Sequence, residues 1–80
     1  MLKAWVKRVT GNTTHHSAEG QLPTPAFVKI EHNKDGYFLL YFDAGGVEMT
    51  DMWHQSLEDA QRQAKFEFEI EASEWFDDGT

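Results

Sequence analysis

The stretch from Ser56 to Phe76, "SLEDAQRQAKFEFEIEASEWF", decides the fold. Its second half alternates Phe66, Phe68 and Ile70 with Glu67, Glu69 and Glu71, the period-2 rhythm of a half-buried strand. Its first half reads as a helix. The Ser56 hydroxyl can accept from the backbone N–H of Asp59, and Glu58 and Asp59 suit the positive end of a helix dipole. Leu57, Ala60, Ala64 and Phe68 then fall on one apolar stripe, with Gln61, Arg62 and Lys65 on the polar side. Phe66 and Ile70 lie roughly 140–180° away around an ideal helix. Ending the helix near Phe68 or Glu69 turns Ile70 into the apolar residue that often follows a helix C-cap. Phe66 still needs cover, and Trp75 and Phe76 of the tail are the candidates to provide it.

Upstream of the helix the pattern is that of strands. Leu2, Ala4 and Val6 alternate with Lys3, Trp5 and Lys7, predicting a first strand over 2–9. Thr10 to Pro25 is rich in Gly, Thr, Ser and Pro and has almost no periodicity, so a flexible loop is expected over about residues 10–25. "AFVKIEH" (26–32) is a second strand and "NKDG" (33–36) a hairpin turn. "YFLLYFD" (37–43) is the third strand, "DAGG" (43–46) a second turn, and "VEMTDMWH" (47–54) the fourth strand. The fold class expected is α+β: an antiparallel four-stranded meander with one C-terminal helix packed on one face. It forms a single domain, 1–80, ending in an acidic aromatic tail over about 71–80. The expected core is Val6, Val28, Ile30, Phe38, Leu40, Phe42, Val47, Met49, Leu57, Ala60, Ala64 and Phe68.

One helix of about thirteen residues covers only one face of such a sheet, yet the third strand is apolar on both. Tyr37, Leu39 and Tyr41 lie on one side, and Phe38, Leu40 and Phe42 on the other. The uncovered side must meet the 10–25 loop, the tail or another chain, because large apolar patches on monomers tend to be interaction sites.

Charge narrows the partner. The 80 residues carry a net charge of −7, unevenly spread. Residues 1–40 set Lys3, Lys7, Arg8, Lys29 and Lys34 against Glu19, Glu31 and Asp35, a net of +2. Residues 41–80 set Arg62 and Lys65 against eleven acids, a net of −9. Nucleic acid and anionic membranes both need clustered Lys and Arg, so neither is an expected partner. A protein is expected instead, either a basic partner steered to the acidic half or a second copy. With no cysteine and no continuous apolar segment near Met1, the expected location is cytoplasmic.

Signals for chemistry are weak. His15, His16, His32 and His54 lack the spacing of zinc ligands, so no metal and no other cofactor is expected. Asp51, His54 and Ser56 fall within six residues, but a capping role occupies the Ser56 hydroxyl and removes it as a nucleophile. Gly45-Gly46 precedes a strand, where a phosphate-binding loop would precede a helix.

From Tyr37 to Ile70 the chain resembles a group of short, acidic bacterial proteins of uncharacterised function. Their pattern is an apolar strand ending in Asp, a Gly turn, a Thr-Asp-Thr-Trp-His-like corner and a helix ending Phe-Glu-Phe-Gly. Thr50-Asp51-Met52-Trp53-His54 and Phe66-Glu67-Phe68 carry the likeness. Met52 stands in place of Thr and Glu69 in place of Gly, the latter blurring the helix end. The resemblance implies strands followed by one helix and no known activity. Small acidic inhibitors of the immunity type are similar in kind, by analogy alone.

The expected function is a non-catalytic protein–protein interaction module or inhibitor for a basic partner, and not an enzyme. Its candidate partner-binding residues are Tyr37, Tyr41, Trp53, His54, Phe66 and Trp75. The alternative is a small-ligand or enzymatic site near Asp51, Trp53 and His54.

Overall fold

A computed structural model gives the structure of residues 1–12, 16–17 and 20–79, with the side chains of residues 16, 17 and 21 not described. Residues 13–15, 18 and 19 of the expected loop, His15 and Glu19 among them, and residue 80 lie outside the described residues. The strands are β1 (Leu2–Trp5), β2 (His16–Ser17), β3 (Gly20–Gln21), β4 (Phe27–Asn33), β5 (Gly36–Phe42), β6 (Glu48–His54) and β7 (Phe76–Asp77). The helix α1 spans Leu57–Phe68, and a short 3₁₀ turn spans Ala72–Glu74. The main sheet is antiparallel with order β6-β5-β4-β1-β7, while β2 and β3 pair separately. The α+β class holds, but the sheet has five strands rather than four. Part of the expected 10–25 loop is the β2–β3 hairpin.

Local chemistry explains the turns. Asn33 Oδ1 accepts from the Asp35 amide at 2.8 Å, closing the β4–β5 hairpin. Gly36 has φ of 136°, and a Cβ there would run into the Trp53 indole. Asp43 Oδ1 accepts from the amides of Gly45 and Val47, both at 2.9 Å, and shapes the β5–β6 turn. Tyr41 pairs with Thr50 but Phe42 with Glu48, so Met49 is an extra residue in a bulge.

That bulge re-phases β6. Met52, rather than the expected Val47 and Met49, packs on the core, and Val47 is 62% exposed. The core side of β5 also differs from expectation. Leu39 and Tyr41 join Ala4, Val28, Ile30, Ala60, Ala64, Phe68 and Ile70 under the helix. Alternation therefore sends Phe38, Leu40 and Phe42 to the opposite face, where Leu40 is buried as expected at 8% exposure while Phe38 and Phe42 are only partly buried. The small Ala60 and Ala64 let α1 approach the sheet closely, and the buried Tyr41 hydroxyl finds an acceptor in Glu67.

The helix ends as read from the sequence. Ser56 caps the start, accepting from the Asp59 amide at 3.1 Å. Glu69 closes the end in the left-handed region, with φ of 56°, and Ile70 is buried. The final carbonyls are satisfied from outside. Thr10 donates from its amide to the Glu67 carbonyl at 2.9 Å and from its hydroxyl to the Phe66 carbonyl at 2.7 Å. Asn12 Nδ2 donates to the Phe66 carbonyl at 2.8 Å. The tail does not shield Phe66. Trp75 packs on the core, Phe76 enters β7, and Lys29 Nζ lies 2.7 Å from Asp78 Oδ2.

Candidate functional site

Helix α1 lies on one side of the sheet. The other side carries Lys3 and Trp5 from β1, Phe27, Lys29 and Glu31 from β4, and Phe38, Leu40 and Phe42 from β5. Asp51 and Trp53 of β6 and Phe76 of β7 complete it. Trp5, Trp53 and Phe76 are 49%, 54% and 41% exposed. The register builds an aromatic run across three strands. The Trp5 and Phe27 rings meet edge to face at 5.5 Å, and Phe27 stacks on Phe42 at 5.0 Å. The Lys3 ammonium lies 4.2 Å from the centre of both the Trp5 and the Phe27 ring. At the other end of the face, the Trp53 indole donates to the Asp35 carbonyl at 2.7 Å, which holds the ring over the hairpin turn.

The six residues expected to bind a partner do not gather in one place. Trp53 lies on this open face. Tyr37 and Tyr41 lie on the helix side of β5: Tyr37 stacks on His32 at 4.0 Å, and Tyr41 is 1% exposed. Trp75 is half-buried against the core, its indole N–H without an acceptor among the described residues. Phe66 is half-exposed and lines a shallow cleft of about 420 Å³ with His54, Asp59, Arg62 and Gln63.

Beneath that cleft is a polar cluster that the sequence reading missed. Glu67 is 2% exposed; it accepts from the Tyr41 hydroxyl and, at 3.0 Å, from Gln63 Nε2. Burial, and then the bond to Glu67 and its charge, push the Tyr41 hydroxyl above its ordinary pKa. His54 Nε2 is buried with no partner among the described residues. Burial holds the His54 imidazole below its ordinary pKa, against the opposing pull of Asp59 and Glu67. Helical spacing carries the signal, since Glu67 lies three residues after Ala64 and seven after Ala60 on the buried stripe, but its charge made it read as part of a solvated rim.

Asp51 and His54, three positions apart along β6, project to opposite faces of the sheet. Ser56 is engaged as the helix cap. These three side chains therefore do not converge. Among the described residues no group of three His, Cys, Asp or Glu is placed to hold a metal ion, and no helix is long and apolar enough to cross a membrane. Comparison with known proteins gives no match: no family model, no curated protein and no solved structure is significantly similar to the chain.

Proposed function

We propose that the chain is a non-catalytic protein–protein interaction module of the inhibitor type, docking through the open face of its sheet. The carrying observation is the exposed Trp5 and Trp53 at the two ends of an aromatic run through Phe27, Phe42 and Phe38 on the side away from the helix, with Phe27 itself buried beneath its neighbours. Exposed Trp residues of this kind are the usual anchors of protein interfaces. Glu48 and Asp51, on β6 at one edge of the face, have no cationic partner among the described residues. They select a protein that brings basic groups to that edge. Nucleic acid is a poor fit. Of the two lysines on the face, Lys29 is already tied to Asp78, and Glu31, Glu48 and Asp51 would repel phosphates. A cytoplasmic location and a kinship with short acidic bacterial proteins belong to the same proposal. The alternative, a ligand or catalytic site built on Asp51, Trp53 and His54, is the weaker fit because Asp51 and His54 occupy opposite faces.

The test is affinity capture from host extract with the wild-type chain, Trp53→Asp and Phe66→Ser, followed by titration of the identified, purified protein. The Trp53→Asp variant should weaken binding by about 2 kcal/mol or more, and rising salt should weaken the wild-type complex. Phe66→Ser, on the helix, should leave binding unchanged. Equal binding by Trp53→Asp and wild type would remove the open face as the docking surface.

A further inference from the structure

We infer that the open face is built to take a second copy of this chain, forming a symmetric dimer in which two sheets pack face to face. This rests on the open face being a docking surface and adds the identity of its occupant.

The inference comes from the order of charges across the strands. In one row of the sheet, Lys3 pairs with Lys29, Lys29 with Leu40, and Leu40 with Asp51. The row thus runs from positive on β1, through an apolar centre, to negative on β6. Lys29 is matched within the chain by Asp78, but Lys3 has no carboxylate partner among the described residues, and neither has Asp51 a cation. Lys3 has only the aromatic faces of Trp5 and Phe27. Each copy therefore presents a free cation at one side of its face and a free carboxylate at the other.

A two-fold symmetric face-to-face pair can place its axis either along the strands or across them. An axis along the strands, between β4 and β5, carries β1 of one copy over β6 of the other. Lys3 then faces Asp51 twice, and Phe27 faces Phe42 twice. An axis across the strands and through this row would set Lys3 on Lys3 and Asp51 on Asp51, and one through the neighbouring rows leaves both Lys3 and Asp51 without an opposite charge. The charge order selects the first arrangement, which is also the aligned packing that twisted sheets adopt, about 10 Å apart. The basic group awaited by the acidic β6 edge is then Lys3 of another copy, so the surplus of base in residues 1–40 and of acid in 41–80 becomes self-complementary.

Size sets the expected strength. Four strands about 4.8 Å apart, with about six residues each rising about 3.3 Å, give a footprint near 400 Å² in plan. Side-chain relief enlarges this, but the pair stays at the small end of specific interfaces, about 1,200 Å² in total. The dimer is therefore reversible, and concentration and salt shift it.

The test measures mass in solution by light scattering or sedimentation, over a concentration series at low and high salt. The wild-type chain should approach twice the 9.2 kDa of one chain at high concentration and low salt, and dissociate as salt rises. Lys3→Asp and Asp51→Lys, each shown to be folded by circular dichroism and its melting temperature, should each weaken association by about tenfold or more. Mixed together, the two variants should restore the dimer, because each supplies the charge the other lost on both sides of the axis. A wild-type chain that stays monomeric at all concentrations overturns the inference. So does a dimer that ignores both substitutions, or a mixture of folded variants that stays monomeric. If the wild type is monomeric while Trp53→Asp loses a captured protein, only the self-association falls and the docking face stands.

Discussion

Glu69 is the one described non-glycine residue with positive φ, 56°, and it sits where the helix must stop so that Ile70 can turn under the sheet. Its return for that strain is small. Its carboxylate lies 3.1 Å from Arg8 Nε, but both side chains are at least half exposed, and such pairs contribute little. Glycine would adopt this conformation without the Cβ penalty and keep the amide bond to the Lys65 carbonyl. Glu69→Gly should therefore stabilise the protein by about 0.5–1 kcal/mol, read as a higher urea midpoint with an unchanged slope. A lower midpoint would mean that the Arg8 pair outweighs the backbone strain.

Among the elements, the tail departs most from a reading of composition. Acidic and ending in Gly-Thr, it reads as frayed, yet Phe76–Asp77 adds a fifth strand beside β1. Charge holds it there. The N-terminal ammonium lies 3.7 Å from Asp77 and 4.0 Å from Asp78, and Asp78 reaches Lys29 at 2.7 Å with its side chain only 10% exposed. Asp78→Asn should cost about 1–2 kcal/mol in chemical denaturation, since it removes one partner of a partly buried pair. Amide exchange should quicken at Lys3 and Phe76 before it does in β4 and β5. A uniform increase across the sheet would show that β7 is not a separately held element. The segment Thr10 to Asn12 also does more than connect, for it closes the carbonyl end of α1. Its Thr and Asn side chains suit that role, but which carbonyls they meet depends on β1 lying beside the helix end.

For the molecule as a whole, acid stability should depend on His54. Its folded-state pKa is held below the ordinary 6.5, chiefly by burial, while unfolding returns it to that value. As pH falls below 6.5 the unfolded chain takes up the proton first, so the His54 contribution is present above that pH and is lost as pH drops towards the folded value. The difference in unfolding free energy between wild type and His54→Gln should therefore shift against the wild type between about pH 7 and 5. A difference independent of pH would show that the imidazole titrates alike in both states.

The helix from Ser56, its end at Phe68, the buried Ile70, both hairpin turns and the α+β class were all legible in the residues. Capping, helical spacing and turn chemistry act over a few positions and leave their marks there. Which face of β5 meets the helix was not legible, because Tyr37, Leu39 and Tyr41 are nearly as apolar as Phe38, Leu40 and Phe42. That choice depends on the pairing of Val28 with Tyr41 and Ile30 with Leu39, on the bulge at Met49, and on a buried acceptor at Glu67 for the Tyr41 hydroxyl. Tertiary structure alone made the open aromatic face from these choices. Sequence supplied the alternating apolar residues and the uneven charge, but only strand register sets Lys3 and Asp51 at opposite sides of one surface.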